Sequence, residues 1–216
     1  MMERFRMPTL RRVGMKNIII LMMMVFSSIT AKTDSEMGPR PRITPSQLGK
    51  CFFKMIPEKY KDDNDKIKVI REPFGVAYCL AEDGDFQEMW KTSGWYAWRV
   101  FLSDDGHYLV RMGPWHRGRQ AKKEDLGVAF YKDGLLLKEY SVVDLLKGPT
   151  QIARTVSHYF WLASEMPSPD SSRENELALY GYDFYLTTIE GYNFHFNAAT
   201  GVLIEEKKVD LKPFKK

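Results

Sequence analysis

Two stretches of the chain carry one pattern of polar and apolar positions. Ser46–Pro57 (SQLGKCFFKMIP) and Ser103–Trp115 (SDDGHYLVRMGPW) each read Ser, two residues, Gly, five residues of strand-forming character, then Met-x-Pro. After each comes a charged loop and then a pair of short apolar runs around Asp-Gly. These are Phe74–Lys91 (FGVAYCLAEDGDFQEMWK) and Leu126–Ser141 (LGVAFYKDGLLLKEYS). Asp and Gly tolerate the positive φ that a tight turn demands, so both segments are predicted to be β-hairpins. A third hairpin is predicted over Tyr192–Lys208, turning at Thr200-Gly201, and Leu186–Gly191 (LTTIEG) stands where the second copy has Phe101–Gly106 (FLSDDG). The pattern predicts three repeats of one hairpin-rich unit, over about 46–93, 94–148 and 157–209, the third of them degenerate.

Between the hairpins, Gly94–Ser103 (GWYAWRVFLS) is aromatic and β-branched, and apolar on both alternating sets of positions. That is the expectation for a strand covered on both faces. Thr155–Ser164 and Tyr182–Thr188 share the character. The aromatic residues Trp90, Trp95, Tyr96, Trp98, Tyr159, Phe160 and Trp161 read as core, the alternative being the lining of a groove. Only Ser141–Gly148 has helical punctuation: Ser141 and Asp144 fit a capping box and Gly148 a stop, which predicts one short helix near 141–147. Ser164–Glu176, rich in Pro and Ser, reads as a surface loop. The fold class is all-β, a set of meander repeats.

The segment Ser103–Val110 (SDDGHYLV) resembles the Ser-x-Asp-Gly-x-Tyr-Leu entry to a blade strand in bacterial periplasmic β-propellers. About 160 residues of the chain resemble small secreted bacterial proteins of unassigned activity that contain such repeats. The resemblance implies propeller-blade-like units and carries over no catalytic residue. Three blades fall short of the four to eight that usually close a ring. The implied arrangement is therefore an open stack of meanders, a sandwich derived from blades, or half of a dimeric ring.

The N-terminus changes the reading of charge. Met15–Ala31 has one Lys, an apolar run from Ile18 to Phe26 and then small residues, the order of a secretory signal peptide. Its apolar run is too short for a bilayer, which needs roughly 20 residues. We read 1–31 as a signal peptide with a basic leader, the alternative being a retained N-terminal anchor, and membrane contact is expected only through this segment. Arg4, Arg6, Arg11, Arg12 and Lys16 against Glu3 give it +4, and the whole chain is +4, so the remainder is near zero. Nucleic acid binding requires clustered surplus cation and is not expected. Residues 32–46, polar with three prolines, read as a flexible tether, and 47–210 as a single β domain.

In the repeat alignment Cys51 falls on Tyr108 and Cys79 on Tyr131, so each pair occupies two equivalent positions and is a candidate cross-strand contact. An exported compartment would oxidise the cysteines to a disulfide. No metal or cofactor is expected, and Asp62–Lys66 (DDNDK) reads as a solvated acidic turn lacking the glycine and distal glutamate of a calcium loop.

The chain has no HExxH, Gly-x-Ser-x-Gly, phosphate-cradling Gly loop or CxxC. The most suggestive surface candidate is Met112–Asp125. Trp115, His116, Arg117 and Arg119, with Arg111 just before them, would set an aromatic plate beside cations, which suits a sugar or an anionic group. The bland alternative is that Trp115 closes the end of the core and the charges keep a long turn soluble. His158 and His195 read as structural. The expected function is an exported binding or structural module whose ligand is a carbohydrate or a protein. Two alternatives stand beside it: a polysaccharide hydrolase or lyase using His116 or His158 near Asp125 or Arg111, and a subunit of an envelope assembly joined through an unpaired edge strand.

Overall fold

The computed structural model describes residues 38–63, 66–165 and 177–211, so the leader at 1–31 and most of the Pro/Ser-rich loop lie outside the described residues. The strands are β1 (Arg42–Pro45), β2 (Cys51–Ile56), β3 (Lys59–Asp63), β4 (Lys66–Arg71), β5 (Phe74–Leu80) and β6 (Phe86–Ser93). There follow β7 (Val100–Leu102), β8 (Tyr108–Met112), β9 (Leu126–Lys132), β10 (Leu135–Ser141), helix α1 (Val142–Leu145), β11 (Ala153–Arg154) and β12 (Tyr159–Phe160). After a single 3₁₀ turn at Ala163–Glu165 come β13 (Leu177–Tyr180), β14 (Asp183–Thr187), β15 (Tyr192–Asn197) and β16 (Val202–Lys208).

Three four-stranded antiparallel meanders result, in the orders β1-β2-β5-β6, β7-β8-β9-β10 and β13-β14-β15-β16. The leading strand of the second, β7, packs on β1 and β2 of the first and on β13 of the third, so the leading strands gather while β6, β10 and β16 form the far edges. The fold is all-β, open and propeller-like, and no barrel closes among the described residues.

The repeated phrase is one turn built three times. Ser46 Oγ accepts from the Cys51 amide (3.1 Å) while the Gly49 amide donates to Ser46 O (3.1 Å). Ser103 Oγ accepts from the Tyr108 amide (3.0 Å) while the Gly106 amide donates to Ser103 O (3.0 Å). Thr188 and Gly191 do the same toward Tyr192 with one residue fewer. The three glycines sit at φ of 71°, 75° and 80°, the left-handed region that side chains disfavour. The hydroxyl residues are buried, where the paired amides satisfy them. In the first two meanders this turn joins strands one and two, but in the third it joins β14 to β15, strands two and three. The third copy is therefore out of phase by one strand, and its meander spans 177–208 instead of 157–209.

The second sheet is the centre of the molecule. Leu109, Ala129 and Tyr131 face Phe53, Met55, Ala77 and Trp90 of the first sheet. Their alternating neighbours Val110, Met112, Val128 and Phe130 face Phe184, Leu186, Phe194 and Phe196 of the third. Alternate side chains of a strand leave opposite faces, so near-continuous apolar runs in β8 and β9 mark a sheet covered twice.

Several expectations are corrected. Residues 42–45 of the expected tether form β1, paired with β2 from Arg42↔Met55 to Pro45↔Phe52. A sheet-edge strand tolerates proline because one side of it needs no ladder hydrogen bonds. Of the strand expected over 94–103 only Val100–Leu102 forms, because Gly94 turns the chain at φ 86°. Only Tyr159–Phe160 of the strand expected over 155–164 forms, in a two-stranded unit with β11. The charged loop after β2 is itself a hairpin, β3–β4, and Asp62 of the expected acidic turn lies in β3. Helix α1 has the expected capping box, with the Asp144 amide donating to Ser141 Oγ and the Ser141 amide to Asp144 Oδ2, but it stops at Leu146 before Gly148.

Cys51 and Cys79 face each other directly in the β2–β5 register and form a disulfide. The tyrosine pair expected at the matching positions does not exist. Pairing of β8 with β9 is Leu109↔Tyr131, one residue off, which puts Tyr108 on the opposite face from Tyr131. Tyr108 instead meets the ring of Tyr182 (5.2 Å), and Tyr131 meets Trp95 (5.4 Å).

The second copy of the turn docks onto the first sheet. Gly106 O accepts from Trp90 Nε1 (2.6 Å) and Asp104 Oδ1 from the Leu48 amide (2.7 Å). Asp105 ties the same turn to the third sheet by accepting from the Tyr182 hydroxyl (2.7 Å).

Candidate functional site

The loop from Gly113 to Asp125 leaves β8 through Met-Gly-Pro. A Cβ on Gly113 would lie 1.7 Å from the Leu126 carbonyl oxygen and 3.2 Å from His116 Nε2, so only glycine admits the histidine here. The loop is then laced to the chain around β11–β12. The Tyr159 amide donates to His116 O (3.1 Å), Arg117 and His158 form a β-bridge, and the Ala121 amide donates to Pro149 O (2.8 Å). Buried Ala121 joins the core shared by the second and third sheets.

Each candidate residue has a definite place. Trp115 stacks on His158 (4.3 Å between centroids) and on Phe160 (5.2 Å), while its buried indole N–H has no acceptor among the described residues. His116 puts Nε2 at 2.8 Å from the Leu126 carbonyl and Nδ1 at 3.4 Å from Asp125 Oδ1. Arg117 is exposed and donates through Nε to His158 Nε2 (3.3 Å); Arg119 is exposed. Arg111 is apart from all of these. Its guanidinium lies over the Trp95 ring (4.5 Å) and donates to the Tyr131 hydroxyl (3.3 Å), in the space between the first and second sheets. The structure thus brings Trp115 and Arg117 onto His158, holds His116 beside Tyr159 and Asp125, and separates Arg111 from them.

His116 and Asp125 do meet, but their atoms are engaged. Asp125 Oδ2 accepts from the Tyr159 hydroxyl (2.6 Å) and from the Lys122 amide (2.8 Å), and Oδ1 faces His116. Burial, then the hydrogen bond to Asp125, pushes the Tyr159 hydroxyl far above its ordinary range, so it stays a donor. A general base needs a free lone pair within reach of a substrate proton. Here the histidine, carboxylate and phenol close on one another, and the arrangement holds the loop down. Tyr159→Phe is expected to lower stability by about 1–2 kcal/mol through the charge-assisted hydrogen bond it removes, read as a shift in urea midpoint.

The other histidines behave alike. His107 pairs with Asp133 (2.7 Å), His195 with Asp183 (2.7 Å), and the His195 ring stacks on Tyr185 (4.5 Å). Of the aromatic series that could line a groove or fill the core, Trp95 and Tyr96 pack against the first core cluster, Trp95 stacking on Phe53 (6.2 Å), in a segment that is not the expected strand. Trp95, Tyr96 and Trp98 are all partly exposed there, and Arg42 lies over Trp98 (5.3 Å).

Glu165 caps the 3₁₀ turn through its carboxylate, which accepts from the amides of Trp161 and Leu162 (both 3.3 Å). Burial raises its pKa above the usual carboxylate value. A raised folded-state pKa means that the ionised form costs stability above it, and that the cost vanishes as pH falls below the unfolded value. Glu165→Gln, which retains an acceptor, is expected to raise the melting temperature at pH 7 and to leave it unchanged near pH 3.

No family model, curated protein or solved structure matches the chain.

Proposed function

We propose that the protein is an exported β-repeat module that binds and does not catalyse. The observation that carries this reading is the internal closure of the His116–Asp125–Tyr159 group, which spends the loop's acid–base chemistry on holding the fold. Export is supported by the leader-like N-terminus and by the Cys51–Cys79 disulfide, a bond that persists in oxidising compartments. Among the described residues no helix is long and apolar enough to cross a membrane. The test is to recover the protein from an exporting host, determine its mass, and pass it over immobilised polysaccharides while assaying for released reducing ends or unsaturated products. Retention without product, by an oxidised chain that has lost its leader, is the expected result. Product formation abolished by His116→Ala would replace the binder with the hydrolase or lyase reading.

A reading as an assembly subunit is favoured by one feature. The edge strand β10 exposes Leu135, Leu136 and Leu137 in succession, where isolated edges usually carry charge. A monomer in sedimentation at high concentration would remove that reading.

A further inference from the structure

Two arginines at one end of the first and second sheets have no counter-charge among the described residues. Arg42 on β1 lies over Trp98 (5.3 Å), and Arg111 on β8 lies over Trp95 (4.5 Å). Neither forms an ion pair among the described residues. Arg111 spends one N–H on the Tyr131 hydroxyl (3.3 Å), and its buried Nε–H finds no acceptor among the described residues. A buried donor without an acceptor carries a desolvation cost that most folds avoid. A guanidinium resting on an aromatic ring keeps most of its fork of donors for a carboxylate or sulfate. The two indoles sit three residues apart in the chain, at most about 11 Å from backbone to backbone. Between them Tyr96 is anchored by its hydroxyl, which donates to Arg40 O (2.8 Å), and its ring packs edge-on against Trp98 (5.6 Å). The group is thus fixed on both sides, by β1 and by the β7–β8 pair.

Resting on the binding-module reading above, we infer that the Trp95–Trp98 segment with Arg42 and Arg111 is the ligand site, and that its ligand is an acidic polysaccharide. Two separated cations beside aromatic surface suit charges repeated along a chain of sugar rings better than a lone ion. The cation–aromatic chemistry expected of the Trp115 loop is present, but at this other place.

The test is affinity electrophoresis of the oxidised, exported protein without its basic leader, in gels containing polygalacturonate, dextran sulfate or neutral dextran. Retardation by an acidic polymer, weakened by salt and absent in neutral dextran, is expected, and the two acidic gels distinguish carboxylate from sulfate. Arg42→Gln and Arg111→Gln should each weaken retardation roughly tenfold or more, the loss expected of a charge-assisted contact. Lys61→Gln, on the β3–β4 hairpin, should leave it unchanged. Circular dichroism and the unfolding midpoint of Arg42→Gln confirm that it folds, so the inference does not depend on Arg111 alone. Full retardation of a folded Arg42→Gln, equal loss in Lys61→Gln, or no retardation in either acidic gel overturns the site. Retention by a neutral polymer that ignores Arg42 overturns the site while leaving a binding module, whereas polymer cleavage overturns the binding module itself.

Discussion

Gly106→Ala should destabilise the protein by about 3 kcal/mol or more, several times the effect of Gly49→Ala in the equivalent turn. Both glycines have left-handed φ, 75° and 71°, so both substitutions carry the same backbone penalty of about 1 kcal/mol. What differs is the space. A Cβ on Gly49 meets nothing within 4 Å, whereas on Gly106 it would lie 2.2 Å from Cys79 Sγ and 3.2 Å from Cys51 Sγ. A disulfide cannot swing aside as a flexible chain end can. The turn would have to lift off the first sheet, loosening the Trp90 Nε1 to Gly106 O and Leu48 amide to Asp104 hydrogen bonds together. Urea unfolding of the two variants side by side is the measurement, and equal losses would show that the turn does not bear on the disulfide.

Removing the disulfide is the second large effect. Cys51→Ala with Cys79→Ala, or reduction, should cost about 3 kcal/mol in the chain-entropy account, for a sequence separation of 28 residues. The closed loop contains the β3–β4 hairpin, an isolated two-stranded unit that contributes little stability of its own. The substitutions should also be coupled: with both sulfurs gone, the Gly106→Ala penalty should fall toward that of Gly49→Ala. A double-mutant cycle reads this directly, because residues in contact depart from additivity. Additive losses would mean that the sulfurs are not what the Cβ meets.

Acid should act on the same turn. The Asp105 carboxyl is pushed up by partial burial, but hydrogen bonds from Ser103, Tyr182 and the His107 amide outweigh that and hold it below its ordinary value. Its contribution to stability is therefore present above the unfolded pKa, near 4, and is lost as pH falls through the lower folded value. Asp105→Asn should flatten that acid limb of the pH–stability curve.

How much of this was legible in the sequence depends on the range of the forces involved. The Ser-x-x-Gly phrase was readable as a repeat, and it is local because the turn it builds closes its hydrogen bonds within five residues and needs a glycine at positive φ. The capping box at Ser141 and Asp144 was local in the same way. The cysteine pairing followed from the repeat, but the tyrosine pairing did not. A one-residue slip between β8 and β9 exchanges sheet faces, and nothing in the identities of Tyr108 and Tyr131 records that slip. β1 was hidden by Pro45 and the two prolines just before it; an edge strand accommodates such a residue and a central strand would not. The aromatic content of Gly94–Ser103 pointed to strand, yet only a tertiary fit decides that Trp95 and Trp98 lie in the irregular stretch between β6 and β7 and meet Arg111 and Arg42. The Trp115 loop carried both readings in its sequence, and the stacking of its indole on His158 and Phe160 is a long-range contact that no local pattern records.

The double cover on β8 and β9 has a consequence for how the molecule opens. With neighbours on both faces, these strands lack a solvent side through which partial melting could reach them. Their amide protons should exchange with deuterium only through global unfolding, after those of β3, β4, β6 and β16 have gone.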